Sequence, residues 1–140
     1  MFQVENWFVF ALIALVLWGF WGFFPKLATG YLNPRSVLIY EVVGVLIVAL
    51  VVLYTMGFKP ETNTKGIVFG VLAGIAGLLG TLFFLFAISK GKASVVVTMT
   101  ALYPIITIFL SFFVLNETIT VKQGIGMIFA LLAIVLLTAE

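Results

Sequence analysis

The sequence predicts an all-α membrane protein with five transmembrane helices, on three observations. The 140 residues are 64% hydrophobic and only 9% charged, with a mean hydropathy of +1.34. That is too little charge to cover a soluble domain of this size. The apolar residues fall into five runs, about 7–29, 36–56, 67–89, 93–115 and 121–138, each close to the ~20 residues that cross a bilayer as a helix. The breaks between them are short and hold Gly, Pro, Asn and Lys, the residues of turns and loop ends.

The same composition excludes several functions. There is no Cys and no His, and the chain contains no Asp. Neither a disulfide framework nor a thiol site can be built. A metal centre or a catalytic dyad would have to come from five Glu residues, most of them at loops or termini. No metal site, cofactor or catalytic residue is therefore expected. The net charge of +2 reflects a few loop lysines and makes no nucleic-acid-binding face. The opening MFQVENW lacks a basic segment, and no small-residue cleavage site follows promptly. The first run thus reads as a retained helix and not as a signal peptide.

The first run ends in WGFWGFFPKLATG. Trp18, Trp21, Gly22 and Pro25 stay broadly on one side of a helix, and Pro25 removes the hydrogen bond to the carbonyl of Trp21, so a kink is expected there. Trp7 suits an interfacial aromatic belt. Trp18 and Trp21 lie too far along for the same interface, which points to a cavity lining or internal packing. Lys26 is near enough to the helix end to snorkel.

Asn33-Pro34 makes a tight turn into the second run, which carries Glu41 in LIYEVVGV. Counting from residue 34 to residue 41 places Glu41 roughly 10 Å along the helix, about a third of the way into a hydrocarbon core of ~30 Å. A carboxylate there has to be neutral, paired or facing water, and it marks a functional site by default. An architectural ion pair with Lys26, at similar depth on the preceding antiparallel helix, stands beside that reading.

The loop 57–66 is the most polar connector, with Pro60 and Asn63 as turn formers. The third run carries a stripe of small residues, including Gly70, Gly74 and Gly77, at spacings that let helix backbones approach closely in lipid. Its phenylalanines, Phe83, Phe84 and Phe86, read as lipid-facing or core. Thr100, Tyr103, Thr107 and Ser111 follow one face of the fourth run. Pro104 deprives the Thr100 carbonyl of its helical partner, although hydroxyls can also bond to their own helix. Glu117 stands just ahead of the fifth run, where a carboxylate can meet the N–H groups of a helix start, so a cap is expected. Gly126 and Ala130 give the last run a small face, suited to packing or subunit contact.

The stretch from Ala101 to Leu132 also resembles a known family. It contains A-L-Y-P, then S-x-x-x-L-x-E from Ser111 to Glu117, then G-x-G at Gly124 and Gly126. Together with the W-G pair of the first run and five spans in the same order, this is similar to the EamA-type domain of the drug/metabolite transporter superfamily. The resemblance covers residues 1–140 as a single domain. It implies a secondary transporter, an exporter of small metabolites such as amino acids or lipophilic compounds, in the multi-pass setting of a prokaryotic cytoplasmic membrane. Such domains usually occur as two inverted tandem copies with ten helices. One copy here implies a path assembled from two chains. Related domains often carry an Arg near the position of Glu41, so the family assigns that residue no role.

Read from the residues, Glu41, Trp18, Trp21, Thr100, Tyr103 and Thr107 are expected to border one substrate or proton pathway near the membrane middle. The competing class is a non-transporting membrane partner or assembly protein, with Glu41 ion-paired. A channel is disfavoured, since one carboxylate and few hydroxyls make a poor continuous polar lining.

Five spans put the termini on opposite sides of the membrane. One side carries Lys59, Lys65 and Lys122, and the other Lys26, Arg35, Lys90 and Lys92. That imbalance is too small to fix orientation under the positive-inside rule. Both orientations, and an antiparallel homodimer, are expected, with Gly70, Gly74, Gly126 and Ala130 at the close contacts.

Overall fold

A computed structural model describes residues 3–138. They form α1 (Gln3–Ala28), α2 (Pro34–Thr55), α3 (Thr64–Lys90), α4 (Ala93–Thr100), α5 (Tyr103–Val114) and α6 (Val121–Thr138). There is no strand among the described residues. Trp7–Ala28, Pro34–Thr55, Thr64–Lys90 and Ala93–Val114 are each long and apolar enough to cross a membrane. The fifth span, α6, is shorter: its 18 residues reach about 27 Å as a helix. The chain divides into two compact units, one ending at Lys90 and the other beginning at Gly91.

In the first unit, both α1 and α2 pack on α3. Helices α2 and α3 start a little ahead of their apolar runs, where side chains cap them. Asn33 accepts a hydrogen bond from the Ser36 N–H at 3.0 Å, and Pro34 opens α2. There its missing N–H costs nothing. Asn63 does the same for α3, accepting from the Gly66 N–H at 3.2 Å. At the other end of α2, Gly57 and Phe58 take left-handed φ values of 62° and 58°. The N–H groups of Phe58 and Gly57 return to Leu53 and Tyr54 at 3.0 Å each, closing a Schellman turn. Helix α1 runs through Pro25 without a break.

The buried side chains of this unit gather towards one end, where α1 finishes, α2 starts and α3 finishes. Val37, Phe84, Leu85 and Ile88 are its apolar core, with Gly22 and Pro25 buried beside them. Phe84, Leu85 and Ile88 share one face of α3. The glycine stripe lies towards the other end of α3. A Cβ built at Gly70, Gly74, Gly77 or Gly80 would meet nothing within 4 Å, so these glycines make no close helix contact within the described residues.

In the second unit α4 packs on α6. The fourth apolar run is two helices and not the one continuous helix expected. The chain leaves the α-helix at Ala101 and Leu102, just ahead of Pro104, whose ring would clash with the Thr100 carbonyl in a regular helix. The Ile105 N–H turns instead to the carbonyl of Leu102, at 2.9 Å. Asn116 ends α5 with a φ of 54°, a value that Asn tolerates better than most residues. A reciprocal capping box opens α6. Thr120 donates its backbone N–H to Gln123 Oε1 at 2.8 Å, and Gln123 returns its N–H to Thr120 Oγ1 at 3.3 Å.

Candidate functional site

Three helices bring one polar group and two aromatic rings together inside the first unit. Glu41 lies from residue 34 to 41 along α2, Trp21 from 28 back to 21 in α1, and Phe84 from 90 back to 84 in α3. At 1.5 Å per residue all three sit roughly 9–10 Å in from the same end. The Trp21 ring stacks on Phe84, with centroids 5.2 Å apart and planes inclined by 21°. Its indole N–H donates to Glu41 Oε1. The other carboxylate oxygen, Oε2, is buried and has no hydrogen-bond partner.

This arrangement determines what the site can do. A carboxylate can accept several hydrogen bonds, and here Oε1 has a donor while the buried Oε2 has none. Leaving such an oxygen unsatisfied away from water costs of order 1–3 kcal/mol or more. The group is thus held in place on one side and still able to take a donor on the other.

The donor to Glu41 is Trp21 and not Lys26. The Lys26 ammonium reaches the carbonyl oxygen of Ile88 at 3.0 Å, in the last turn of α3. Trp18 lies one turn before Trp21 and keeps 62% of its surface exposed.

The remaining pathway candidates belong to the second unit, and the helix break divides them. Thr100 closes α4, while Tyr103 opens α5 ahead of Thr107, so the expected continuous polar face is interrupted. The Thr100 hydroxyl bonds to the carbonyls of Val96 and Val97 at 3.0 Å each, and Thr107 bonds to Tyr103 at 3.4 Å. Both hydroxyls are thus met by their own helix. The Tyr103 side chain is more than half exposed. Glu117 borders a shallow recess with Ser111, Gln123 and Met127, and its N–H returns to the Ser111 carbonyl at 3.3 Å. In the sixth helix, Gly126 has nothing within 4 Å of a built Cβ.

Two contributors lay outside the sequence reading. Phe84 is the ring that supports Trp21, and among three nearby phenylalanines composition cannot single it out. Gln123 completes the cap of α6, and the T-x-x-Q spacing from Thr120 was the available signal.

Five apolar helical spans, and a carboxylate held inside the second of them, define a multi-pass helical membrane protein. The family model for the EamA-like transporter family matches residues 5–139, and the chain belongs to that family. It is 29% identical over 130 residues to an uncharacterized protein of Methanocaldococcus jannaschii, a match covering 93% of this chain and 94% of the other. No solved structure gives a significant match.

Proposed function

We propose that this chain is a secondary transporter that exports small metabolites by alternating access as a two-chain assembly, with Glu41 as the proton- or substrate-responsive group. The observation that carries the reading is the Glu41 carboxylate itself, one oxygen on Trp21 and the other buried without a partner, inside an apolar helix of membrane-crossing length. Ionisable groups in that setting mark ion and substrate paths. Membership of the EamA-like transporter family supports the general class.

The test is flux. The purified chain in sealed proteoliposomes is screened with radiolabelled amino acids and other small metabolites, with and without a pH gradient. The expected result is uptake or efflux that responds to the gradient and is abolished by Glu41→Gln in a protein that still folds. Normal flux in that variant removes the role of Glu41. No flux of any solute removes the transporter reading.

A further inference from the structure

We infer that one end of the first unit, where α1 finishes, α2 starts and α3 finishes, is a docking surface for anionic lipid headgroups, centred on Arg35 and Lys90. The charges at this end are all of one sign. Lys26 stands in the last turn of α1, Arg35 in the first turn of α2 and Lys90 at the end of α3. No Glu occurs from 26 to 36 or from 88 to 90. At the opposite end, the loop 57–66 sets Glu61 between Lys59 and Lys65.

The fold accounts for two of these cations and not for the third. Lys26 and Lys90 lie in last turns, where positive charge complements the helix dipole. Arg35 lies at the other kind of helix end, beside the positive pole of α2, whose first turn holds no acidic residue. Its guanidinium is always charged. It is exposed and makes no hydrogen bond or ion pair among the described residues. A planar arginine fork fits two oxygens of a phosphodiester. Lys90, also exposed, supplies a second charge, and the Lys26 contact to Ile88 keeps the last turn of α3 beside the end of α1.

The surroundings favour a lipid over a dissolved anion. Tyr31 is 90% exposed in the turn between α1 and α2, and Leu27 and Leu32 are exposed beside it. Aromatic rings so placed settle at the headgroup level of a bilayer, and long basic side chains reach that level from apolar neighbours. A phosphate carried on acyl chains meets both the cations and the apolar rim. A free phosphate meets the cations alone, where water and salt screen them. Acidic residues have little influence on insertion, but Glu61 does cancel part of the attraction at the opposite end.

The experiment places the purified full chain in micelles carrying equal amounts of phosphatidylglycerol and phosphatidylcholine. Native mass spectrometry then counts the lipids that each chain retains. Wild type is expected to prefer phosphatidylglycerol by about tenfold or more, since each Lys or Arg near an anionic surface contributes about fivefold. Arg35→Gln and Lys90→Gln should each lower that preference by about fivefold, and Arg35→Lys by less. Lys59→Gln combined with Lys65→Gln should leave it in place.

Equal retention of the two lipids by wild type, a comparison that needs no variant, overturns the inference. So does an unchanged preference in Arg35→Gln, or an equal loss from the Lys59 and Lys65 pair. Glycerophosphoglycerol, the same headgroup without acyl chains, provides the last arm. If it strips phosphatidylglycerol from the chain at millimolar concentration, the surface takes a soluble anion and the lipid assignment fails. No arm measures flux, so the result stands or falls apart from the transporter reading.

Discussion

Lys26, in the last turn of α1, donates its ammonium proton to the carbonyl oxygen of Ile88, in the last turn of α3, at 3.0 Å. The final carbonyls of a helix have no partner within it, and the Ile88 residue is fully buried, which keeps water from serving it. A cation at a helix C-terminus also complements the helix dipole. The contact thus fastens α1 to α3 one turn beyond the Trp21–Phe84 stack. Both helices are held where Glu41 needs its donor.

Lys26→Met keeps most of the apolar stem and removes the donor. It should destabilise the folded chain by about 1.5–3 kcal/mol, the usual worth of a hydrogen bond to a charged group, with Lys26→Arg closer to wild type. Reversible denaturation in detergent micelles measures both. Equal stability of the Met variant would show that the bond contributes nothing.

Trp21→Phe separates the two roles of the indole. A phenyl ring can still stack on Phe84, but the N–H that serves Glu41 Oε1 is gone, so that oxygen joins Oε2 in lacking a donor. A loss of about 1–3 kcal/mol is expected from that unmet acceptor. Trp21→Ala should lose roughly 0.5–1.5 kcal/mol more through the missing ring pair alone. The same denaturation series checks the order. If Phe and Ala are equally damaging, the ring contact carries no weight of its own.

The cap of α6 offers a cleaner local test. Thr120→Ala or Gln123→Ala should each cost about 1 kcal/mol and should speed amide exchange in the first turn after Val121. Glu117→Gln should change stability by less than about 0.5 kcal/mol, as for a surface substitution. Fast exchange in the Glu117 variant alone would move the cap to that residue.

How much of this could be read beforehand follows from the kind of information each feature needs. The five spans are legible because membrane burial is written as uninterrupted apolar runs. The depth of Glu41 is legible too, since counting from Pro34 along a regular helix gives its height. What that count cannot give is the partner. Trp21 and Lys26 lie five residues apart on the same helix, and only the packing of α1 on α3 decides which of them meets the carboxylate. Phe84 is hidden for the same reason, since Phe83 and Phe86 are just as apolar. The break before Pro104 was half legible. The proline announced a lost hydrogen bond at Thr100, but whether the chain would kink or leave the helix depends on its surroundings. The latter occurs, and it splits the face that carries Thr100 and Tyr103.

The bare glycine face of α3 makes a prediction about assembly. Nothing in the described residues comes within 4 Å of a Cβ at Gly70 or Gly74, so leucine at either position should fit the single chain without a clash. If a second copy uses that face for close backbone approach, Gly70→Leu and Gly74→Leu should lower dimer yield in chemical cross-linking while thermal stability stays near wild type. Unchanged cross-linking would place the contact on another face, with Gly126 and Ala130 the next positions to vary.

Orientation is the remaining expectation, and it rests on charge. The loops and ends on the two sides of a five-span chain carry Lys59, Lys65 and Lys122 against Lys26, Arg35, Lys90 and Lys92. The rule that places basic loops inside works through a clear imbalance in short loops, and a difference of one supplies little. Two chains inserted in opposite senses would reproduce, between them, an inverted repeat of the kind that transporter folds carry within one chain. A C-terminal fusion to a reporter active only in the cytoplasm, and another to a reporter active only outside it, measure this directly. Comparable signal from both is expected. Adding two lysines to the loop at 57–66 should then silence one reporter and leave the other. Signal from a single reporter in the unaltered chain rules out dual insertion and leaves a parallel pair as the assembly to test.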